Sequence, residues 1–364
     1  MTLRVAVVGY GKLGTIHARL IDEHPGFSLV AVIDPLDKNR RAAAANLGVA
    51  TYSDVEHVLD EVDCAIVATP TVFHHNVCAT LLEKGKHVFV EKPITTTPAE
   101  ARKLVDLAKE NHLKLQVGHV VRFDHRFQAA EKLIQSPQLI ECTRTSGYTF
   151  RSMDVGVTLD LMIHDLDLVL SLVDSPVESV QAIGTAVIGP HEDIAHARLT
   201  FSNGAIANLT ASRVSFDQVR KLEATGRFGF VSVDFLKEDT ITALSVGPEL
   251  QSLDIDPTNM SPAQQQQISD RFFVDLLPKA ELPVKPTNAI AEEHQDFYTA
   301  ITEDRTPVVS GATGERVLNV AARIVNTIKA GSTNEPTEIG GPHFSQDGES
   351  FKELGIHRSS VRGL

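Results

Sequence analysis

Short apolar runs alternate with amphipathic stretches through the first third of the chain. The runs Arg4–Val8, Ser28–Ile33, Cys64–Ala68, His87–Val90 and Leu113–Val117 read as strands of a parallel sheet buried on both faces, with a weaker one at Ala50–Tyr52. Helical spacing fills the gaps between them. Lys12–Glu23 repeats Leu13, Ile16 and Leu20 on one face. Pro98–Glu110 opens with Thr97 as cap, Pro98 in the first turn and Glu100 completing a capping box. Alternating strands and helices predict crossover units, hence an α/β layer.

The texture changes after Arg122. A helix near Arg126–Ile134 leads to a strand at Leu139–Thr145, then to a strongly apolar helix at Val157–Val173. From Val177 to Val246 the period falls to two, which predicts a largely antiparallel sheet. Its clearest unit is IAHARLTF, then Ser202-Asn203-Gly204, then AIANLTAS. Asn-Gly between alternating runs predicts a hairpin, because both residues tolerate positive φ. The proline-rich stretch 247–290, with Gln264–Gln267, reads as an irregular excursion. Helices return at Ile290–Glu303 and Thr313–Ala330.

A chain of 364 residues holds about two domains. The change of texture divides it into 1–122, 123–331 and a Gly-, Ser- and charge-rich tail, 332–364. The formal net charge of -13 argues against a nucleic-acid partner, since phosphate neutralisation needs clustered Lys and Arg. Cys64, Cys78 and Cys142 form no CxxC pair and suggest neither disulfides nor a cysteine metal site. No apolar run approaches the roughly 18 residues of a spanning helix, so no membrane partner is expected. The N-terminal run before the glycines is too short for a secretory leader, which makes the cytoplasm the expected compartment.

Gly9-Tyr10-Gly11-Lys12-Leu13-Gly14 fits GxGxxG, after an apolar strand and at the opening of a helix. The first glycine permits the tight turn, the second lets a pyrophosphate approach the backbone, and the third lets helix pack on strand. Phosphates would rest on the free N–H groups of that helix N-terminus. Asp34 ends the second strand, where a carboxylate accepts hydrogen bonds from ribose hydroxyls and repels a 2′-phosphate. NAD is therefore the expected cofactor; Lys38, Arg40 and Arg41 just downstream keep NADP as the alternative. Strand ends point into the ligand crevice of such a sheet, so Thr69, Pro70 and His74, and then Glu91-Lys92-Pro93, should border the nicotinamide.

At these residues the chain resembles the Gfo/Idh/MocA family of NAD(P)-dependent oxidoreductases. The family's TPxxxH, GKHVxxEKP and GHxxRF segments stand here as Thr69–His74, Gly85–Pro93 and Gly118–Phe123. The C-terminal signature stands as Phe297–Ile301, Pro307, Val309-Ser310-Gly311 and the following helix. The resemblance implies a Rossmann domain, doubly wound about its parallel sheet. An α/β domain with an open, mostly antiparallel sheet follows, through which members associate as homodimers or homotetramers. It also implies that Lys92 contacts the reacting oxygen.

The helix DVGVTLDLMIHDLDLVLSLV is apolar except for Asp160, His164, Asp165 and Asp167. Asp160, His164 and Asp167 share one face, and burying them is costly unless they are paired or used. One reading is a His–Asp pair tying this helix to its neighbour. The other is a general base tuned by a carboxylate. The family's DxxxH motif matches Asp160 and His164, which implies His164 as the base and Asp160 as its orienter or the substrate's. The chain departs from the family in having only Gly156 before this motif, and His125 where many members have proline. No metal site is expected, because zinc prefers several His or Cys ligands.

Tyr148–Val155 running into LDLMIHDLDLVL resembles the branch of nucleotide-sugar 3-dehydrogenases that oxidise the 3-hydroxyl of UDP-N-acetylglucosamine. A diphosphate wants arginine clamps, and Arg122, Arg126, Arg144, Arg151 and Arg213 lie in the expected substrate domain; His119, Arg122 and Arg151 are the substrate candidates. The rivals are an inositol or other sugar dehydrogenase, an NAD-dependent glycoside hydrolase of the same fold, and a non-catalytic NAD-binding regulator.

Overall fold

The computed structural model describes residues 2–150, 155–188, 190–237, 239–246 and 259–331. Six parallel strands form the first sheet: β1 (Leu3–Val8), β2 (Phe27–Ile33), β3 (Ala50–Tyr52), β4 (Cys64–Val67), β5 (His87–Glu91) and β6 (Leu115–Gly118). Their spatial order is β3-β2-β1-β4-β5-β6, so the chain reverses direction between β1 and β4. Such a switch point opens a crevice at the carboxyl ends of the strands. Around the sheet lie α1 (Lys12–Asp22), α2 (Asp37–Leu47), α3 (His74–Glu83) and α4 (Pro98–Glu110). The capping box expected at Thr97 and Glu100 is present.

In α1 the helix is as expected but its buried face is not. Leu13 is exposed, and the inward residues are Gly14, His17, Ala18 and Ile21. The third motif glycine must lie against Gly9, which turns the inner face toward small residues and a histidine.

The second sheet has eight strands, β7 (Leu139–Thr145), β8 (Val177–Thr185), β9 (Ile194–Phe201), β10 (Ile206–Ser212), β11 (Val219–Gly226), β12 (Gly229–Asp234), β13 (Thr240–Ser245) and β14 (Lys279–Pro283). Every pairing is antiparallel except β7 with β10. The Asn203-Gly204 turn joins β9 to β10 as expected, with Gly204 at φ +84°. Helices α5 (His125–Glu131) and α6 (Ile163–Leu172) belong to this unit, and a π-type turn, Thr158–Met162, precedes α6.

The stretch 247–290 is more regular than its composition suggests. Residues 247–258 lie outside those described, but α7 (Pro262–Arg271) starts at a Ser261–Gln264 capping box, and β14 extends the sheet. Prolines placed at a helix start and at the end of an edge strand are compatible with both elements.

The two last helices, α8 (Ala289–Thr302) and α9 (Gly311–Gly331), return to the first sheet. Phe297 is buried among Val5, Phe27, Ile66 and Phe89, and Leu318 joins Leu104, Leu115 and Val117. Val117 N–H donates to Val309 O, so residue 309 covers the outer edge of β6. The core of the nucleotide-type layer thus includes residues from the far end of the 123–331 segment.

Candidate active site

The glycine turn leaves its backbone open on one side. Gly9 has φ +94°, a conformation that a side chain strains, and a Cβ there would meet Ala68 O at 2.7 Å. A Cβ on Gly11 would meet nothing, since this residue faces open space. A cavity of about 910 Å³ is lined by Gly9, Gly11, Lys12, Leu13, Asp34, Thr69 and Pro70 among others. That volume suits an organic cofactor. Asp34 accepts hydrogen bonds from Tyr10 N–H at 2.8 Å, Leu36 N–H at 2.8 Å and Asn39 Nδ2 at 3.0 Å. It therefore holds the glycine turn as well as facing the cavity. Arg40 is fastened to the carbonyls of Asp34 and Pro35, each at 2.8 Å.

His74 does not line the cavity. It is buried, with Nδ1 2.9 Å from Pro93 O and Nε2 2.9 Å from Thr69 O, and so ties the Thr69-Pro70 loop to the Glu91-Lys92-Pro93 loop. The Thr69 hydroxyl is buried and has no protein partner. Glu91 Oε2 accepts the Lys92 N–H at 3.2 Å, while Oε1 lies 2.8 Å from His17 Nε2.

Lys92 Nζ donates to the backbone carbonyl of Asp160 at 2.9 Å and lies 3.8 Å from its carboxylate. Burial lowers the lysine's proton affinity, and Asp160 and Glu91 oppose that. The Asp160 carbonyl belongs to the π-type turn, where the ordinary helical ladder is interrupted; such turns recur at functional sites. One turn on, burial pulls His164 well below the usual histidine range, and Lys92 and Arg144 push it further. Its Nδ1 is enclosed without a partner. The expected tuning of His164 by a carboxylate is not found: the charges that shift it are cationic, and the Asp160 carboxylate lies 3.8 Å from Lys92 instead. The result is a neutral imidazole beside an ammonium group.

His119 is buried nearby, its proton affinity lowered by burial and its Nδ1 without a partner. Arg122 is engaged elsewhere. Its guanidinium grips Asp167 with Nε at 3.1 Å and Nη2 at 3.0 Å, joining the segment after β6 to α6. Arg144 holds Asp165 at 2.9 and 2.6 Å, and Arg213 holds Asp193 at 2.6 Å. Arg126 pairs with Asp124. These arginines are structural clamps, and Arg151 lies outside the described residues.

Two groups escaped the reading of the sequence. Arg220 on β11 stands directly across from Arg144 on β7, so both side chains project from the same face of the sheet. Arg220 is exposed, and its charge reaches His164. The second group is His17, Glu293 and His294 behind Glu91; a histidine on the inner face of α1 was its one sequence signal.

Comparisons with known proteins give the family. Residues 3–119 match the family model described as oxidoreductase family, NAD-binding Rossmann fold, and residues 116–232 match the GFO/IDH/MocA C-terminal domain. The UDP-N-acetylglucosamine 3-dehydrogenase of Acidithiobacillus ferrooxidans is 32% identical over 90% of this chain and 98% of its own. Its solved structure superposes with a TM-score of 0.80 at 31% identity, covering 91% of this chain and 98% of that one. The scyllo-inositol 2-dehydrogenase (NAD(+)) of Bacillus subtilis is 28% identical over 90% of this chain and 95% of its own. The chain belongs to the Gfo/Idh/MocA family of NAD-binding oxidoreductases.

Proposed function

We propose that the chain is an NAD-dependent dehydrogenase that oxidises the 3-hydroxyl of a nucleotide sugar such as UDP-N-acetylglucosamine. The observation that carries the chemistry is Lys92, held on the Asp160 carbonyl beside a neutral His164. The amides of Gly9–Gly14 would hold the pyrophosphate and Asp34 the adenosine ribose, in the cavity that Gly9, Gly11 and Asp34 line. When bound, the nicotinamide supplies the hydride acceptor. The Lys92 ammonium would donate to the substrate hydroxyl and stabilise the developing alkoxide. His164 would take the hydroxyl proton; its low proton affinity keeps it unprotonated and able to accept at neutral pH.

The choice of NAD over NADP is supported by the Asp34 carboxylate on the cavity wall, which would repel a 2′-phosphate, and by Arg40, which is fastened to backbone carbonyls. The nucleotide-sugar reading is supported by the 32% identical relative and by Arg220. Like charges directly opposite on a sheet repel. Arg144 is neutralised by Asp165, whereas no acidic side chain pairs with Arg220 among the described residues. It is a ready anchor for an anionic substituent. The B. subtilis relative favours a second reading, an inositol as substrate.

The test is NADH formation with NAD⁺ and either UDP-N-acetylglucosamine or myo-inositol. Turnover of the first alone supports the proposal, and turnover of inositol alone replaces it. Arg220→Ala should raise KM for the nucleotide sugar by ~10-fold or more, as loss of a charge-assisted contact does, with kcat nearly unchanged.

A further inference from the structure

Behind the strand that ends at Lys92 lies a group of ionisable side chains that the chemistry above does not use. Glu293, from α8, is fully buried, and neither carboxyl oxygen has a hydrogen-bond partner. Glu91 from β5 and His17 from α1 face it, with ligating atoms of the three residues all within 4.8 Å of one another. The other groups around it are Gln116 from β6, whose Oε1 is also buried without a partner, and His294 and Asp296 on its own helix. His17 is committed: Nε2 lies 2.8 Å from Glu91 Oε1 and Nδ1 lies 2.7 Å from His294 Nε2. With both ring nitrogens engaged, the imidazole has no lone pair left to bind a cation in this arrangement.

Two carboxylates this close in a dry interior cannot both be ionised without a cation between them. We propose that Glu293 is a positioning residue that acts as an un-ionised carboxylic acid. It keeps its own proton while Glu91 is ionised, so that the pair carries a single negative charge behind Lys92. Glu91 accepts the Lys92 N–H through its other oxygen, so the charge and orientation of this pair set where the reactive lysine begins. A second buried negative charge would raise the hold of Lys92 on its proton and pull Glu91 away from its two partners. Burial, followed by the charges of Glu91 and Asp296, accordingly raises the carboxyl of Glu293 well above the usual range.

The sign of the pH effect follows from linkage. Above the ordinary carboxylate pKa the unfolded chain has lost a proton that native Glu293 keeps, so this residue's contribution to stability falls as pH rises toward the native value. Glu293→Gln cannot ionise and stays flat. Thermal melting should find the Gln variant close to wild type at about pH 5 and higher-melting at about pH 8. Infrared spectra of the wild type at neutral pH should carry the carbonyl band of an un-ionised carboxylic acid that the Gln variant lacks. A deficit of the Gln variant that is the same at both pH values, or absence of the band, overturns the proposal. So does one equivalent of a divalent metal in the wild type that is lost in the variant. A further arm rests on the dehydrogenase reading: Glu293→Gln should keep most of the wild-type kcat, while Glu293→Leu should lose at least ~10-fold in kcat with little change in KM and a shifted pH profile. Equal losses in both variants count against positioning by a neutral acid. If the wild type itself fails to turn over, the dehydrogenase reading falls while the melting and infrared arms still decide the proposal.

Discussion

At the scale of single residues, burial lowers the proton affinity of both His164 and Lys92, but the charges around them differ: cations act on His164, whereas Asp160 and Glu91 help Lys92 keep its proton. Burial, Lys92 and Arg144 all lower His164, so it should stay neutral well below the ordinary histidine pKa of about 6.5. The acid limb of kcat/KM is therefore expected below pH ~6.5, with activity lost as pH falls through the native pKa. His164→Asn should lower kcat by roughly 10²–10⁴ and remove that limb, as deletion of a general base does. A limb that survives unchanged assigns it to another group. Asp34 behaves differently, because it has two roles. Its carboxylate holds Tyr10 and Leu36 N–H groups as well as facing the cavity, so truncation to Ala would loosen the glycine turn itself. Asp34→Asn keeps an acceptor and removes the charge. The ratio of NAD to NADP affinity, measured by calorimetry, should shift toward NADP by about tenfold, which corresponds to roughly 1.4 kcal/mol. An unchanged ratio would remove Asp34 from cofactor choice.

At the scale of elements, α6 explains why an almost wholly apolar helix carries acids. Asp165 and Asp167 are each buried and each gripped by an arginine from another element, Arg144 of β7 and Arg122 after β6. Removing one partner of such a pair leaves an uncompensated charge. Arg144→Met should destabilise by about 3–5 kcal/mol, and adding Asp165→Leu should recover most of the loss, as judged by urea unfolding. If the double variant is as unstable as the single one, the pair has a role beyond charge compensation. The pairing also marks where the sequence was legible. Helical spacing put Asp160, His164 and Asp167 on one face, but periodicity carries no information about partners on other elements, here 21 to 68 positions away. Five arginines of the second domain looked like phosphate ligands for that reason, and the four described ones, Arg122, Arg126, Arg144 and Arg213, are each paired with an aspartate. Local signals fared better where the cause is local: the Thr97 capping box and the Asn203-Gly204 hairpin depend on neighbours in the chain and were read correctly. In 247–290 the prolines masked α7 and β14, because proline is excluded from element interiors and not from their ends.

At the scale of the molecule, the net charge of -13 does not show where an acidic chain would hold a dinucleotide; in the proposed reading the amides of Gly9–Gly14 would do so. Nor did the change of texture at Arg122 reveal how the first layer is completed. Phe297 stacks 6.4 Å from Phe27 and meets Phe89 edge to face at 6.0 Å, centroid to centroid, and is fully buried between them. At Gly314 even a Cβ would come within 2.5 Å of Val117, so α9 lies as close to β6 as glycine allows. The Gln116–Ser310 bridge and the Val117–Val309 hydrogen bond occupy the edge of β6. Residues 1–122 alone would bare that edge, and bare edge strands pair with other chains. They would also expose the aromatic surface around Phe89. The fragment 1–122 is therefore expected to aggregate or to melt without cooperativity. The same fragment joined to residues 289–331 by a flexible linker should melt cooperatively and bind NAD⁺ by calorimetry. Removal of Phe297 from the linked fragment, as Phe297→Ala, should cost about 3–5 kcal/mol, the usual penalty for an aromatic cavity. Should 1–122 alone melt as sharply and bind NAD⁺ as tightly as the linked version, the C-terminal helices would be passengers on the first domain. The packing of Phe297 and Gly314 argues the reverse: the nucleotide layer is finished only when the end of the chain returns to it.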